Sequence, residues 1–332
     1  MSRNALVLND TSGSQHPGCV LVMRQLHEMC KSEGIDIVAT LPTNSRLLRD
    51  MAALLSRCDI VMINGEGTMH HDRLGALLLR DAAMMAAACG KPVVLINTVW
   101  EGNVVVNDML PLMSMVCVRE SLSKAAIDAL GFCSDVIPDL IFSAQISRAP
   151  TAGGSCRDII IFDDVRTDLS FILARYARRM GIPFHRMEPM PSPRQISRYP
   201  AWMSLVIMSG FRSQFRCENL DIVRDAGILV TGRYHGACLA MMLGRPFIAV
   251  PSNTHKIEGL LEDANLGPGA CLLGEDFLKP GEDAIDSAVN RIFELMRDEC
   301  FVENHKARCE VYVEHARKTI ASMFGNICDL CG

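Results

Sequence analysis

The stretch VTGRYHGACLAMMLGRPFIAV, residues 230–250, reads as a strand, a turn, a short helix and a second strand. The apolar run over residues 226–231 predicts a buried strand, the glycine after it permits the turn, and a helix is expected over residues 235–243. Strands joined through a helix pair in parallel. Because open parallel sheets bind ligands beyond the carboxyl ends of their strands, Arg233 and His235 are expected at a functional edge.

Strand-length apolar runs alternate with helical patterns along most of the chain. They are NALVLN, IDIVAT, CDIVMIN, KPVVLIN and SMVCVR, then RDIIIF, LVIMSG, AGILVT and PFIAV. This alternation is typical of parallel sheets covered by helices on both faces. Residues 147–157 are rich in Gly, Pro, Ser and Thr and predict a linker between domains over residues 1–146 and 158–281. We expect an α/β protein with two Rossmann-like domains facing a cleft, and C-terminal helices over residues 282–332 that pack on the core.

Composition excludes several classes of function. The net charge of −5 provides no general attraction to nucleic acid or to an anionic membrane, so an anionic ligand would need locally placed Arg and Lys. The 14 cysteines lie mostly in apolar runs and are expected to be buried small side chains. Cys328 and Cys331 have a metal-like spacing but lack further ligands, so no metal is predicted. The start MSRNALVLND has no basic leader, and a cytoplasmic location is expected.

The segment NGEGTMHHD, residues 64–72, predicts a turn between a strand and a helix. Gly65 and Gly67 allow close approach of the backbone to a ligand. Glu66 is suited to accept a proton from a sugar hydroxyl, and the alternative is that Glu66 and Thr68 satisfy the donors at the helix start. His70 and its neighbour are expected to point in different directions on that helix, which argues against a metal.

Three cations follow predicted strands. Arg119 comes after SMVCV and is suited to bind a ligand or to form a surface ion pair with Glu120 or a neighbour. Arg233 and His235 share one elbow, where the start of a helix favours an anion and a neutral imidazole. Each of the two also has a structural explanation, as an interface ion pair or a hydrogen-bonded histidine. Lys256 in the next loop shifts the interpretation toward a site for a small polyanion.

The loop PSNTHK, residues 251–256, follows the last predicted strand. Ser252 and Asn253 are suited to cap the helix that comes next, and they are also placed to contact the same anion. Lys256 is expected in the first turn of that helix, which is an unfavourable place for a cation unless an anion lies near it.

The segments TGRYHGACLAMMLGRPF, SNTHKIEGLL, NGEGTMHH, VRES and PDLIF resemble those of the polysaccharide pyruvyl transferase family, over about residues 9 to 266. The resemblance implies a GT-B-like fold and a transferase that moves pyruvate from phosphoenolpyruvate onto a sugar as a ketal, in cell-surface glycan synthesis. The family's Arg-Leu-His motif maps onto Arg233, Tyr234 and His235. It implies that His235 is the acid–base residue and that Arg233 anchors the donor, with Glu66 as base or acceptor-hydroxyl ligand.

The remaining site residues follow from the same comparison of motifs and from their positions at strand ends. The predicted donor-binding residues are Arg233, Lys256, Arg119, Ser252 and Asn253. The predicted acceptor-binding residues are Asp10, His16, Gly65, Gly67, Thr68 and His70. No cofactor or metal is expected, and phosphoenolpyruvate is the co-substrate. The expected partner is a UDP-linked or lipid-linked sugar acceptor, with no nucleic acid; peripheral association with membrane glycan assembly and a homo-oligomer are compatible with this interpretation.

Two departures from the family pattern bear on specificity. Tyr234 replaces the usual leucine, and NDTSGSQHPGC, residues 9–19, replaces the common early Gly-Asn-x-Gly-Asp loop. The second departure leaves the acceptor open. Two other functions also stay open: a GT-B nucleotide-sugar glycosyltransferase, which needs a base and ribose pocket that residues 187–200 do not reveal, and a non-catalytic glycan-assembly protein.

Overall fold

The computed structural model describes residues 3–148, 159–187, 220–267 and 297–330, together with residues 287, 290, 291, 294 and 295. The chain divides into two compact units. The first contains Met1–Gly13, Cys19–Ala144 and His315–Gly332, and the second contains Ser14–Gly18 and Gln145–Glu314. The assignment of these halves to acceptor and donor stays a prediction.

The first unit is built on a six-stranded parallel sheet in the order β2-β1-β3-β4-β5-β6. Its strands are β1 Arg3–Leu8, β2 Ile35–Leu41, β3 Ile60–Glu66, β4 Val93–Thr98, β5 Met115–Val118 and β6 Asp135–Val136. Strands β3 and β4 are buried along their whole length. They therefore appear in the sequence as continuous apolar runs rather than as alternating ones.

Helices cover this sheet and complete its core. They are α1 Pro17–Ser32, α2 Leu47–Ala52, α3 Leu74–Ala88 and α4 Ser121–Asp128, with 3-10 helices at Ser12–Ser14, Leu55–Arg57, Val105–Leu112 and Leu140–Ser143. The small face of α3, which includes Ala76, Ala82, Ala83 and Ala86, is fully buried. Alanine has the highest helix propensity and lets a helix approach the sheet closely. None of the described helices has the length and apolar composition needed to cross a bilayer.

The second unit contains a four-stranded parallel sheet in the order β10-β9-β7-β8. Its strands are β7 Ile159–Asp164, β8 Phe184–His185, β9 Ile228–Gly232 and β10 Phe247–Ala249. Its helices are α5 Thr167–Met180, α6 Asp221–Arg224, α7 Tyr234–Met242 and α8 Lys256–Asp263, and the last described helix is α9 Glu299–Leu330. All nine residues of α7 are buried, which explains why this segment shows no polar face.

The two predicted sheets are confirmed, with small shifts of boundary. The strand predicted over residues 226–231 is β9, Ile228–Gly232, and the helix predicted over 235–243 is α7, Tyr234–Met242. The two-residue strands β6 and β8 are too short to give a periodic signal. The predicted strand LVIMSG, residues 149–157 of the predicted linker, and most of the predicted apolar helix over residues 284–296 lie outside the described residues.

Candidate functional site

The carboxyl edge of the first sheet has an unusual backbone. Asn9, Glu66 and Asn97 have φ angles of 66°, 41° and 56°, in the left-handed region that favours glycine. They lie at or near the ends of β1, β3 and β4, which are adjacent in the sheet. Such conformations persist where the surrounding structure enforces them, and they concentrate at functional sites.

Three buried asparagines connect these strand ends. Asn9 donates from Nδ2 to the Asn64 carbonyl at 2.6 Å and to Thr68 Oγ1 at 3.1 Å. Asn97 donates from Nδ2 to Asn64 Oδ1 at 3.1 Å and accepts from the Leu140 backbone N–H at 3.2 Å. The amides hold the edge rigid, because each buried polar group has a defined partner. The sequence interpretation did not single out these asparagines.

Glu66 lies at the centre of this edge. Its side chain is buried, and its Oε2 accepts from Asn64 Nδ2 at 3.4 Å. A Cβ on Gly65 would overlap the Thr98 side chain, whereas a Cβ on Gly67 would meet open space. Gly65 is therefore needed for packing between β3 and β4, and Gly67 leaves room above the turn.

The helix expected directly after this turn begins only at Leu74, with Arg73 as its N-cap. Glu66 and Thr68 therefore precede the helix by several residues, and the alternative that they satisfy its first donors stays a prediction. The intervening chain forms a bridge between His70 and Glu101, and His71 has a φ of 53°. His70 and His71 do not lie on a helix, and their Nδ1 atoms are 2.9 Å apart, contrary to the predicted divergence.

Arg119 is buried in the first unit and donates from Nη1 to Asp139 Oδ2 at 2.9 Å. The predicted alternative of a surface ion pair with Glu120 or a neighbour is wrong, because Arg119 and Glu120 are both buried. Glu120 caps α4 by accepting the Ser123 backbone N–H at 2.9 Å. A buried pair of this kind orients the guanidinium at the end of β5. Its role in donor binding stays a prediction.

Asp10 is held in its own turn. Its carboxylate accepts from the Ser12 backbone at 2.9 Å, from Ser12 Oγ at 2.6 Å and from Thr40 Oγ1 at 2.6 Å. Burial raises its pKa, but the hydrogen bonds from Ser12 and Thr40 outweigh this and leave the pKa below the usual value. The observed contacts explain Asp10 as a turn residue, and acceptor binding stays a prediction.

The carboxyl edge of the second sheet carries the Arg233 elbow. Arg233 is the N-cap of α7, and its backbone N–H donates to Thr231 Oγ1 at 3.0 Å. Its guanidinium donates from Nε to Asp163 Oδ1 at 3.0 Å and from Nη2 to Asp163 Oδ2 at 2.7 Å. Asp163 also accepts the Met187 backbone N–H at 3.0 Å. The ion pair lies within one unit, and its two-point geometry fixes the plane of the guanidinium.

His235 lies in the first turn of α7, as predicted, and is buried. The His16 ring lies against it, with ring centroids 5.5 Å apart, and a Cβ on Gly18 would overlap the His235 ring. Burial, followed by the charges of His235, Arg233 and Lys256, holds the pKa of His16 well below its usual value. His16 thus lies in the second unit, beside the predicted acid–base residue, and is held neutral.

Lys256 is the first residue of α8, as predicted, and is buried at that helix start. Its Nζ donates to Asn253 Oδ1 at 2.7 Å, and Ser252 Oγ donates to the same oxygen at 3.3 Å. The N-cap residue is His255, without a side-chain cap, so the expectation that Ser252 or Asn253 caps α8 is wrong. Asn253 instead orients the lysine.

Asp164 has the most perturbed carboxyl at this edge. It ends β7 opposite Gly232 in the parallel register and is 2% exposed. Burial raises its pKa to about 7; the Arg166 backbone N–H and the charges of Arg233 and Lys256 oppose that rise, and Asp163 adds to it.

The sequence interpretation missed three charged residues of this edge. Asp163 and Asp164 directly follow the apolar run RDIIIF, so the rule that selected Arg233 would also have selected them. Arg186 is fully buried just after β8, and burial lowers its pKa while Asp163 opposes that change. Its two-residue strand provides no sequence signal. Three basic side chains therefore share this region with two aspartates.

Comparison with solved structures shows the fold. S. aureus MnaA bound to UDP is 11% identical, with a TM-score of 0.59, and the match covers 92% of this chain and 90% of that one. Methanocaldococcus jannaschii UDP-GlcNAc 2-epimerase in complex with UDP-GlcNAc and UDP is 12% identical, with a TM-score of 0.58 and coverage of 90% and 93%. Acinetobacter baumannii MurG is 12% identical, with a TM-score of 0.53 and coverage of 98% and 99%. The chain has the GT-B fold of these proteins.

Comparison of the sequence itself identifies the family. No curated protein sequence matches the chain. The family model for polysaccharide pyruvyl transferase matches residues 18–254, which is well over half of the chain and includes Glu66, Arg119, Arg233 and His235. The chain is therefore a member of the polysaccharide pyruvyl transferase family.

Proposed function

We propose that this protein transfers pyruvate from phosphoenolpyruvate to a glycan or glycan-precursor sugar and forms a pyruvate ketal. The observation that carries the proposal is the group of Arg233, His235 and Lys256 at the carboxyl edge of the second sheet, inside or directly after the segment matched by the family. The charges of Arg233 and Lys256 act together on both His16 and Asp164, which supports a common location for them.

The charge of the edge suits the proposed donor. Phosphoenolpyruvate carries a carboxylate and a phosphate, and both bind well to Arg and Lys donors. Arg233 is oriented by its two-point contact with Asp163, and the Lys256 ammonium is oriented by the side-chain oxygen of Asn253. The start of α7 adds a positive dipole end beside His235. These features favour a small, multiply charged anion.

The proposed chemistry needs a proton donor. A proton adds to the methylene carbon of phosphoenolpyruvate with the electron pair of its C=C bond, which leaves a cationic centre at C2. A sugar hydroxyl oxygen attacks C2 and gives its proton to a base; the C2–O bond to phosphate breaks, and the electron pair leaves with phosphate. A second hydroxyl then closes the ketal, and its proton leaves with the phosphate. We assign proton donation to His235.

The acceptor side of the proposal rests on Glu66 and the rigid edge around it. Glu66 is buried at a strained strand end, where a carboxylate is suited to orient a hydroxyl and accept its proton. The solved relatives in complex with UDP or UDP-GlcNAc support a UDP-linked sugar as one acceptor class, and a lipid-linked sugar is the other. We also propose a cytoplasmic location, which gives access to phosphoenolpyruvate. No cofactor or metal is needed for this reaction.

The proposal is tested by incubating the protein with phosphoenolpyruvate and a panel of UDP-linked and lipid-linked sugars. We expect one phosphate per sugar that gains the mass of pyruvate less water. Arg233→Lys should weaken phosphoenolpyruvate binding by about tenfold or more, because lysine cannot reproduce the two-point contact with Asp163. Arg49→Lys, at an exposed ion pair with Asp50 in the first unit, is the matched control and should leave binding unchanged.

Two results would count against the proposal. Stabilisation by UDP but not by phosphoenolpyruvate, with sugar transfer from a nucleotide sugar, would favour a GT-B glycosyltransferase. Binding of phosphoenolpyruvate without turnover of any acceptor, and full biological function of a His235→Gln variant, would favour a non-catalytic glycan-assembly protein.

A further inference from the structure

Asp164 is a buried carboxyl that the proposed reaction does not use. Its backbone exchanges hydrogen bonds of 2.9 and 2.8 Å with Ser170 Oγ, which fixes the end of β7 to α5. Its Oδ1 accepts the Arg166 backbone N–H at 2.5 Å. Its Oδ2 is buried and has no hydrogen-bond partner among the described residues. An ionised carboxylate in this position would lack half of its solvation, which is costly.

The turn between β9 and α7 leaves space for Asp164 Oδ2. Gly232 is paired with Asp164 across the β7–β9 register, and a Cβ on Gly232 would overlap Asp164 Oδ2. Gly232 is not in the left-handed region, so its backbone conformation does not require glycine. The glycine is instead needed because the carboxyl occupies the place of a side chain, directly beside the backbone that positions Arg233.

Asp164 also lies among charged side chains at the carboxyl edge of the second sheet, which we call the anion edge. The acidic neighbour is Asp163 on the same strand. The basic and imidazole side chains of this edge are Arg166 before α5, Arg186 after β8, Arg233 at the N-cap of α7, His235 in the first turn of α7, Lys256 on α8, and His16. Arg233 and Lys256 favour the ionised carboxyl, whereas burial and Asp163 oppose it. His16 is held neutral and adds no charge in the neutral range. The protonation of Asp164 therefore sets how much positive charge the edge offers.

We propose that Asp164 couples anion binding at Arg233 and Lys256 to its own protonation, so that the neutral carboxylic acid permits binding and the carboxylate opposes it. An anion near the two cations repels a carboxylate beside them and favours the O–H form. Binding at a pH where Asp164 is ionised thus takes a proton from solvent onto Oδ2 or Oδ1. The inference rests on the proposed function for the identity of the anion alone.

The test uses sulfate, a dianion whose own charge is constant over about pH 5 to 9. Sulfate affinity is measured by calorimetry at constant ionic strength for the wild type, Asp164→Asn and Asp168→Asn. Asp168 is an exposed carboxylate paired with Arg166 and serves as the matched control. For the wild type and Asp168→Asn we expect binding about tenfold or more weaker at about pH 8.5 than at about pH 6.5. Asp164→Asn should retain tight binding at the higher pH.

Proton uptake provides a second measurement that needs no variant. Sulfate binding to the wild type at about pH 7.5, in two buffers of different ionisation enthalpy, should show net proton uptake. The inference is overturned by absence of sulfate binding, by equal affinity at both pH values, or by a pH dependence that survives in Asp164→Asn. Titration of a histidine would produce a pH dependence that survives in Asp164→Asn. Proton-linked sulfate binding without pyruvyl transfer would contradict the proposed function and leave the role of Asp164 intact.

Discussion

Arg233 and Asp163 form a buried two-point ion pair, with N···O distances of 3.0 and 2.7 Å. The pair joins the end of β7 to the start of α7, so one carboxylate positions the guanidinium that begins the anion edge. Breaking a buried pair leaves an uncompensated charge, which costs much more than the pair contributes when intact.

Asp163→Asn should therefore lower the free energy of unfolding by about 3–5 kcal/mol. Chemical denaturation measures this value. Asp221→Asn removes a carboxylate from an exposed pair with Arg224 and should change stability by less than about 0.5 kcal/mol. Equally small changes in unfolding free energy for the two substitutions would show that the Arg233–Asp163 pair does not stabilise the turn between β9 and α7.

The two glycines of NGEG should respond differently to alanine. Gly65→Ala places a methyl group against Thr98 in the neighbouring strand, so we expect a loss of about 1–3 kcal/mol in unfolding free energy. Gly67→Ala meets open space and should have an effect below about 0.5 kcal/mol. Thermal and chemical unfolding compare the two variants directly. A larger loss for Gly67→Ala would contradict the packing described at β3.

The continuous apolar runs of the sequence predict both sheets because the central strands are buried on both faces. The same reasoning places Arg233, His235 and Lys256 at helix starts beyond strand ends, and the structure confirms those positions. Position along the chain does not identify partners, however. The pairing of Arg233 with Asp163 links strands far apart in sequence.

The turn after β3 shows a second limit of sequence reasoning. Two glycines followed by polar residues favour a short turn into a helix. The chain instead adds a bridge between His70 and Glu101 before α3, because the left-handed backbone at His71 redirects it. Non-glycine residues in that conformation carry no reliable sequence signal. Asn9 and Asn97 at the same edge also adopt this conformation.

Asp164 should make stability fall as the pH rises. Its pKa is about 7 in the folded protein and 3.8 as a model value, so the native state keeps a proton that the unfolded chain loses between these pH values. The stabilising contribution is complete below about pH 4 and is lost by about pH 7, a change of about 4 kcal/mol. Asp164→Asn should thus be more stable than the wild type at about pH 8, with the difference shrinking toward about pH 4.

Denaturant unfolding of both proteins across this pH range gives the comparison. A constant difference between wild type and Asp164→Asn at every pH would mean that Asp164 titrates alike in the folded and unfolded states.

His305 should produce the opposite dependence. Burial, aided by Arg308, lowers its pKa to about 4, and its ring packs edge-on against Phe247 at 4.9 Å. In the unfolded chain, the imidazole of His305 binds a proton near pH 6.5, whereas in the native state it stays neutral down to about pH 4. The free energy of unfolding therefore falls by about 3 kcal/mol between about pH 6.5 and pH 4.

His305→Phe retains an aromatic ring and should reduce this acid sensitivity, as followed by unfolding at about pH 4.5 and about pH 7. His315→Phe, at an exposed position of the same helix, is the control and should retain the sensitivity of the wild type. If His305→Phe loses as much unfolding free energy at about pH 4.5 as the wild type, another group causes the acid sensitivity.

Turnover in deuterium oxide distinguishes the proposed protonation of phosphoenolpyruvate and ketal formation from other reactions. A ketal and an enolpyruvyl ether of one sugar have the same mass, but the ketal alone gains a hydrogen from solvent on its methyl carbon. We predict one deuterium in each pyruvyl methyl group, with the rate reduced about 10²-fold or more in His235→Gln and unchanged in His315→Gln. A product without deuterium, or no product with any acceptor, would mean that the protein does not form a ketal in this way.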